Sequence, residues 1–426
     1  MCLSFEFAVL ANTENIYGFK SFEVFGLNLG IIALIPIVLL LMTKRINIKK
    51  KSKQLSKFVR VFVFMNFTGI FFGLVQLLLN DNNIQNLNNY LWLFAVEIYN
   101  MSIFPLLLIG TMIYIIIFEN QKLLLLEGFL ISILIGVVVS LVISLLSGIM
   151  GHYGGLNTLL VSNVVRYIPF MLLFPLYKYS SKSLFFIGII GSVLTLIYNA
   201  NGKFILIFAM LPVAIFVILW RDKKYMPLFA MILFLPLGVT IFINVINIFS
   251  SKSILFNSKL RQVVALLEFW NPNWLTVMPL SPRIRIIEFI DIVYEYLKKP
   301  WFFIFGKGYM GTIIDHSGML GTKFIPGSFS INEWLNGTFY SVHETLNSLF
   351  LYNGLFGVAF YFYMIKYIYV NFTKSVWVLI GGFWILMIYG YSVTMTAFGL
   401  TALLLGFIQV EEWERIKNEA CWDCNI

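Results

Sequence analysis

Apolar segments of the length needed to cross a bilayer recur along this chain, near residues 25–43, 59–79, 91–118, 124–148, 158–177, 184–200, 203–220, 226–249, 344–365, 376–394 and 396–410. Inside hydrocarbon a backbone amide has no water to bond to, so a spanning segment is confined to a helix or a closed barrel. These runs are continuous and not alternating, which excludes barrel strands and leaves helices of about 17 to 25 residues. The expected fold class is therefore all-α, a polytopic transmembrane helix bundle of about eleven spans. Composition agrees: 60% of residues are hydrophobic and 12% charged, and the mean hydropathy of +0.87 lies far from that of a soluble globular chain.

Positive residues are retained on the cytoplasmic side of a membrane, so the short loops give the orientation. Eight Lys or Arg lie between Lys44 and Arg60, and Lys122, Lys178, Lys182, Arg221, Lys223, Lys224, Lys366 and Lys374 share that face. The opposite face holds only Lys20 and Lys203 in its short loops, which puts the N-terminus outside and the acidic tail Glu411–Ile426 in the cytoplasm. The net charge of +10 is thereby a consequence of topology and carries no nucleic-acid footprint. The opening Met1–Ala11 reads as half a membrane segment and lacks the basic leader of a cleavable signal peptide. Four regions follow: N-terminal transmembrane helices over 1–249, a large outer-face loop over 250–342, C-terminal transmembrane helices over 343–410 and a cytoplasmic tail over 411–426.

Few charges interrupt the apolar spans. Arg166 lies within the span 158–177 and Glu97 about two turns into 91–118. An ionised group in hydrocarbon is costly unless it meets a partner, a cavity or a ligand. Arg166 therefore points to an anionic substrate reached from outside, and Glu97 either pairs with Arg166 or recognises an acceptor sugar.

The outer loop, roughly ninety residues long, is too aromatic and apolar for disorder and is expected to fold against the membrane surface. Its aromatics are by default interface anchors, with stacking on sugar rings as the other reading. Ser281 at a cap position and Pro282 in the first turn predict a helix ending before Pro300. On a helical wheel Arg285, Glu288, Asp291, Glu295, Lys298 and Lys299 fall on one side, and Ile286, Phe289, Ile290, Val293, Tyr296 and Leu297 on the other. This is an amphipathic helix expected to lie on the membrane. Arg283 and Arg285 sit in its first turn, where the macrodipole disfavours a cation. Either an anion such as a diphosphate resolves the conflict, or the two contact lipid head groups or Glu288.

Before the next span, Ser341 with Glu344 three residues later fits a capping box. His343 between them is either an interfacial structural residue or a group that takes a proton from a sugar hydroxyl or bonds a phosphate oxygen. Metal chemistry has little support. Cys421-Trp422-Asp423-Cys424 is half a zinc site, and the adjacent Asp315 and His316 cannot both point easily at one ion. No P-loop, dinucleotide fingerprint or Asp-rich nucleotide-sugar motif occurs, so no cofactor is expected.

His343-Glu344, nine residues, then Gly354-Leu355-Phe356-Gly357 resembles the His-polar-x9-Gly-x-x-small signature of bacterial O-antigen ligases and the related O-antigen and capsular repeat-unit polymerases, with Glu344 where that family has Asn, Ser or Gln. Arg285 fifteen residues before Pro300, followed by Phe305-Gly306-Lys307-Gly308, resembles the family's outer-loop Arg…Pro-x-x-Gly-x-Gly segment with extra residues between Pro and the glycines. Asn199-Ala200-Asn201-Gly202-Lys203 is similar to its Ser-Arg-Gly turn, with Lys203 in place of Arg. The resemblance implies a membrane-embedded glycosyltransferase in the bacterial plasma membrane whose partners are a lipid-linked oligosaccharide donor and acceptor, membrane lipids and a chain-length regulator. It implies Arg166, Lys203 and Arg285 on the diphosphate with Arg283 as a further ligand, and His343 acting on the acceptor with Glu344 assisting. A polymerase of repeat units is the leading expectation, a ligase to a lipid A core or other surface acceptor the alternative. A flippase or transporter of lipid-linked sugars needs matched broken halves, which the sequence lacks.

Overall fold

The structure is a computed structural model that describes residues 23–24, 27–28, 53–79, 87–103, 106, 182–183, 186, 203–234, 237–238, 274–278, 280–318, 320, 329, 331–340 and 342–371. These residues are mostly helical. Helices α1 (Lys53–Leu78), α2 (Leu87–Ile98) and α3 (Lys203–Arg221) precede α4 (Leu280–Lys298), the short α5 (Trp301–Phe305) and α6 (Ile331–Asn336), and the long α7 (Thr345–Asn371). Two two-residue ladders complete the described elements, β1 (Glu23–Val24) with β2 (Leu27–Asn28) and β3 (Ile313–Ile314) with β4 (Thr338–Phe339), both antiparallel.

Ser56–Leu78 of α1 and Thr345–Lys366 of α7 are long and apolar enough to cross a membrane. They coincide with the expected spans 59–79 and 344–365, and α3 matches 203–220, with Pro212 in its interior. The span expected over 226–249 begins as the apolar helix Tyr225–Phe234. Two expectations need correction. Leu27–Asn28, at the start of the first expected span, is paired strand and not helix, and α2 passes into a π-helical turn at Tyr99–Ile103. The spans expected over 124–148, 158–177, 184–200, 376–394 and 396–410 lie outside the described residues, as does the tail.

The outer segment after residue 273 is not a separate layer. Its Gly306–Tyr309 turn is wedged between α1 and α7, and glycine is what lets it in. A Cβ on Gly308 (φ +77°) would sit 1.9 Å from the backbone nitrogen of Gly73 in α1. A Cβ on Gly306 (φ +72°) would sit 2.4 Å from the backbone nitrogen of Asn353 in α7. Both glycines adopt the left-handed region closed to most L-residues.

The wedge docks where α7 is broken. Gly354 has φ 57° and ψ −141°, which interrupts the helix and frees carbonyls of the preceding turn. Three of these carbonyls accept from the segment after residue 273. The Lys307 N–H donates to the Leu351 carbonyl (2.7 Å) and the Gly308 N–H to the Tyr352 carbonyl (2.9 Å). The Tyr296 hydroxyl lies 2.7 Å from the Phe350 carbonyl and 2.9 Å from that of Leu351. On the other side the Tyr309 N–H donates to the Gly69 carbonyl of α1 at 2.9 Å. Unmade bonds here would each cost about 1–3 kcal/mol in a buried setting, so the break in α7 and the wedge require each other.

Around this junction the packing is aromatic and several buried polar side chains bond to one another or to the backbone. Phe58 and Phe62 of α1 meet Phe360 of α7 at 5.9 and 5.7 Å between ring centres. Phe305 of α5 stacks on Phe72 at 4.8 Å. Tyr309 donates to the Asn66 side chain, which also accepts from Ser102 at 2.8 Å. Asn353 reaches the Met65 carbonyl at 2.7 Å.

Helix α4 corrects the amphipathic expectation. Its acidic row faces inward: Glu288 and Asp291 are fully buried and Glu295 nearly so. Leu280, Phe289, Ile290, Tyr294 and Leu297 are exposed. Tyr296, grouped with Phe289, Ile290 and Leu297 by the wheel, is turned into the protein by its hydroxyl bonds at the α7 break. The helix therefore shows its apolar flank outward and carries its carboxylates to partners inside.

Candidate functional site

The start of α7 is set differently from the capping-box expectation. Helix α7 begins at Thr345, and the Glu344 carbonyl accepts the first helical bond from the Ser348 N–H at 2.8 Å, so Glu344 occupies the cap position. Ser341 lies outside the described residues. His343, one residue ahead of the cap, is thereby delivered to the buried face of α4.

There it meets Glu288. One Glu288 oxygen accepts the His343 backbone N–H at 3.1 Å and the other lies 2.5 Å from the imidazole Nδ1. A carboxylate oxygen and an unprotonated ring nitrogen are both acceptors and repel, so the contact requires the proton on Nδ1. In the neutral imidazole this leaves Nε2 with its lone pair, the form that accepts a proton from a hydroxyl. Phe329 stands edge-on to the ring at 5.0 Å and fixes its plane. The His343 side chain keeps 17% of its surface open while Glu288 keeps none.

Arg285, one turn earlier on α4, pairs with Glu344 through Nε at 3.4 Å. Its own carbonyl accepts from the Asn347 side chain at 2.8 Å, which ties the first turn of α4 to the first turn of α7. Burial holds the Glu344 carboxyl above the usual carboxylate range, with the Arg285 guanidinium pulling the other way. Arg283 is half-buried two residues before Arg285. Arg285, Glu288, His343 and Glu344 therefore form one partly open cluster where the start of α4 meets the start of α7, a helix long and apolar enough to cross a membrane.

The other expected residues fall elsewhere. Glu97 accepts the backbone N–H of Met310 at 2.9 Å and meets the Tyr352 hydroxyl, so its carboxylate secures the positive-φ residue just after the glycine wedge. Lys203 is the first residue of α3. Arg166 lies outside the described residues.

A second polar cluster runs along the same face of α4, two turns on. Glu295 accepts from Lys307 and from the Ile314 N–H at 2.6 Å, and lies 3.6 Å from His316 Nε2. Lys307 also donates to the Thr312 carbonyl at 2.5 Å. His316 packs on Tyr294 at 4.5 Å, and burial followed by the Lys298 charge holds its imidazole below the usual range. Asp291 lies between the clusters, and the backbone N–H groups of His316 and Ser317 approach it without giving either oxygen a hydrogen-bond partner. Burial, reinforced by Asp315 and Glu295, pushes its carboxyl up to about 7. Among the described residues no three His, Cys, Asp or Glu side chains converge to hold a metal ion.

Glu288, Asp291 and Glu295 were visible in the sequence as a row at helical spacing but were assigned to the water side. The partners of Glu288 and Glu295, His343, His316 and Lys307, lie outside α4, and helical periodicity alone does not show which way a polar stripe faces when the surroundings are polar too. Comparison of the chain with family models, with characterised proteins and with solved structures finds no match.

Proposed function

We propose that this chain is a membrane-embedded glycosyltransferase that polymerises polyprenyl-diphosphate-linked oligosaccharide repeat units of a surface polysaccharide, O antigen or capsule, on the outer face of a bacterial plasma membrane. In this reading the chain forms about eleven spans, with the N-terminus outside and the C-terminus in the cytoplasm. The observation that carries it is the His343–Glu288 pair at 2.5 Å beside Arg285 and Glu344. An oriented base and a guanidinium stand together where a lipid-borne substrate has access.

The chemistry matches those groups. His343 Nε2 takes the proton of an acceptor sugar hydroxyl, whose oxygen attacks the anomeric carbon of the donor glycan as the bond to the carrier diphosphate breaks. The leaving diphosphate already carries the driving force, so the remaining task is to neutralise the charge that develops on it. Arg285, with Arg283, Arg166 and Lys203 as further cations, is assigned that task. A preorganised contact of this kind contributes roughly 3–4 kcal/mol to the barrier in comparable sites.

The test is Arg285→Ala and His343→Ala in the native host, with surface polysaccharide resolved on a gel and membrane insertion checked by blot. Single-repeat products from normally inserted variants support a polymerase. Loss of all glycan on the surface carrier transfers the same site to a ligase, and unaltered chain length in both variants overturns the assignment.

A further inference from the structure

Helices α1 and α7 run antiparallel. Phe62 meets Phe360 at 5.7 Å and Asn353 reaches the Met65 carbonyl at 2.7 Å, so the end of α1 at Leu78 and the start of α7 at Thr345 lie on the same side. The Gly306–Tyr309 turn goes deeper than those ends. Gly308 abuts Gly73 and the Tyr309 N–H donates to the Gly69 carbonyl, five and nine residues short of Leu78. On α7 the acceptors Leu351 and Tyr352 are six and seven residues past Thr345. At a rise of about 1.5 Å per residue, both helices place the turn roughly 8–14 Å below their shared end. Both are long and apolar enough to cross a membrane, and in a hydrocarbon core about 30 Å thick that depth falls inside one leaflet.

Irregular backbone at such a depth is tolerated only where its polar groups are answered within the protein. This turn meets the requirement amide by amide. Gly306 donates to the Phe302 carbonyl at 2.8 Å, Met310 to Glu97 at 2.9 Å and Gly311 to the Gly308 carbonyl at 3.1 Å. With Lys307, Gly308 and Tyr309, every N–H from 306 to 311 therefore has a protein acceptor. The side chains give an independent sign. On α5 Phe302 is buried while Trp301 and Ile304 are exposed, as is Leu297 in the last turn of α4. Phe305 joins this surface to the long helices, stacking on Phe72 at 4.8 Å and lying 5.9 Å from Phe356, which is itself exposed. Lys298 holds its ammonium over the exposed Tyr294 ring at 4.7 Å, a cation and an aromatic of the kind that mark a head-group boundary.

We propose that α5 and the glycine turn form a re-entrant element, with the exposed side chains of Leu297, Trp301 and Ile304 against the acyl chains of one leaflet. The proposal follows from α1 and α7 crossing the bilayer and does not depend on the glycosyltransferase reading. His343, two residues before the start of α7, is thereby held at the level of the lipid head groups.

The experiment uses the full-length chain with its three cysteines, Cys2, Cys421 and Cys424, replaced by Ser. It is reconstituted in liposomes of phosphatidylcholine and phosphatidylglycerol and carries a nitroxide at Trp301→Cys or Ile304→Cys. Phe67→Cys on α1 and Lys224→Cys in the turn after α3, both at exposed positions, are the references. Collisions are read with oxygen, which concentrates in hydrocarbon, and with a nickel chelate confined to water. Nickel collisions are lost and oxygen collisions kept at 301 and 304, as at 67. Nickel collisions at Ile304 equal to those at Lys224 put the element in water and overturn the proposal. Loss of both kinds shows a protein cover, another segment or a second copy, and overturns it as well. Trp301→Phe serves if a label disturbs the fold: in liposomes of lipids brominated on the acyl chains, wild type loses a larger fraction of its tryptophan emission than this variant, and equal quenching overturns the proposal. His343→Ala changes neither readout, which separates the outcome from that of the catalytic reading.

Discussion

Replacing Glu288 by Gln keeps the size of the side chain and removes its capacity to accept twice. In the native protein both carboxylate oxygens are used, one on the His343 backbone N–H at 3.1 Å and one on Nδ1 at 2.5 Å. The backbone N–H can only donate, so the Gln carbonyl oxygen is drawn to it and the amide NH2 turns toward the ring. Nδ1 then accepts, and the ring proton moves to Nε2. A hydrogen bond to a charged group contributes about 1.5–3 kcal/mol, which biases the tautomers roughly tenfold to a hundredfold in the native protein and is reversed in the variant. With Nε2 occupied by a proton, general-base assistance is lost, worth about 10²- to 10⁴-fold in rate. The chain has only three histidines, so nitrogen-15 labelling of histidine, with His343→Ala for assignment, reads the protonated nitrogen directly and independently of any activity. If His343 carries its proton on the same nitrogen in wild type and Glu288→Gln, the argument for an oriented base fails.

Asp291→Asn tests the unpaired carboxylate between the two clusters. Burial holds its carboxyl at about 7 in the folded chain, well above the usual carboxylate range. The penalty of ionising it is therefore complete above about 7 and is relieved progressively as pH falls below that value. Wild type is expected to be about 1.4 kcal/mol more stable at pH 6 than at pH 8, while Asp291→Asn loses that dependence, as unfolding at the two pH values will show. Gly308→Ala places a Cβ 1.9 Å from the Gly73 nitrogen at a positive φ that itself costs about 1–2 kcal/mol; a monodisperse variant with wild-type unfolding temperature contradicts the wedge. Tyr296→Phe removes the hydroxyl shared by the Phe350 and Leu351 carbonyls and lowers stability by about 1–3 kcal/mol in denaturant titration, with the tautomer of His343 retained.

What the sequence reveals and withholds divides along the range of each interaction. The helix near Ser281 is legible because periodicity and breaker residues act within a few residues, although the observed bounds Leu280–Lys298 take Ser281, expected at the cap, into the helix itself. His343 and the Gly354–Gly357 spacing are legible as a pattern, but the pattern does not disclose that Gly354 breaks α7 with φ 57° to receive another segment. Glu288 as the partner of His343 is illegible, since 55 residues separate them and an acidic residue on an amphipathic helix is ordinarily solvated. Glu97 reads in the sequence as a partner of Arg166 or a contact for an acceptor sugar, and the structure places it on the backbone N–H of Met310, a role that side-chain chemistry alone does not advertise.

The dependence of the glycine wedge on the break in α7 also orders events during biosynthesis. Residues 306–309 leave the ribosome well before Tyr352 and Gly354, so the amides of Lys307 and Gly308 wait for acceptors that do not yet exist. Docking, and with it the approach of α4 to His343, is deferred until the last described helix has been made. A chain stalled or cleaved before Leu351 therefore leaves the Lys307 and Gly308 amides without the acceptors they meet in the folded protein.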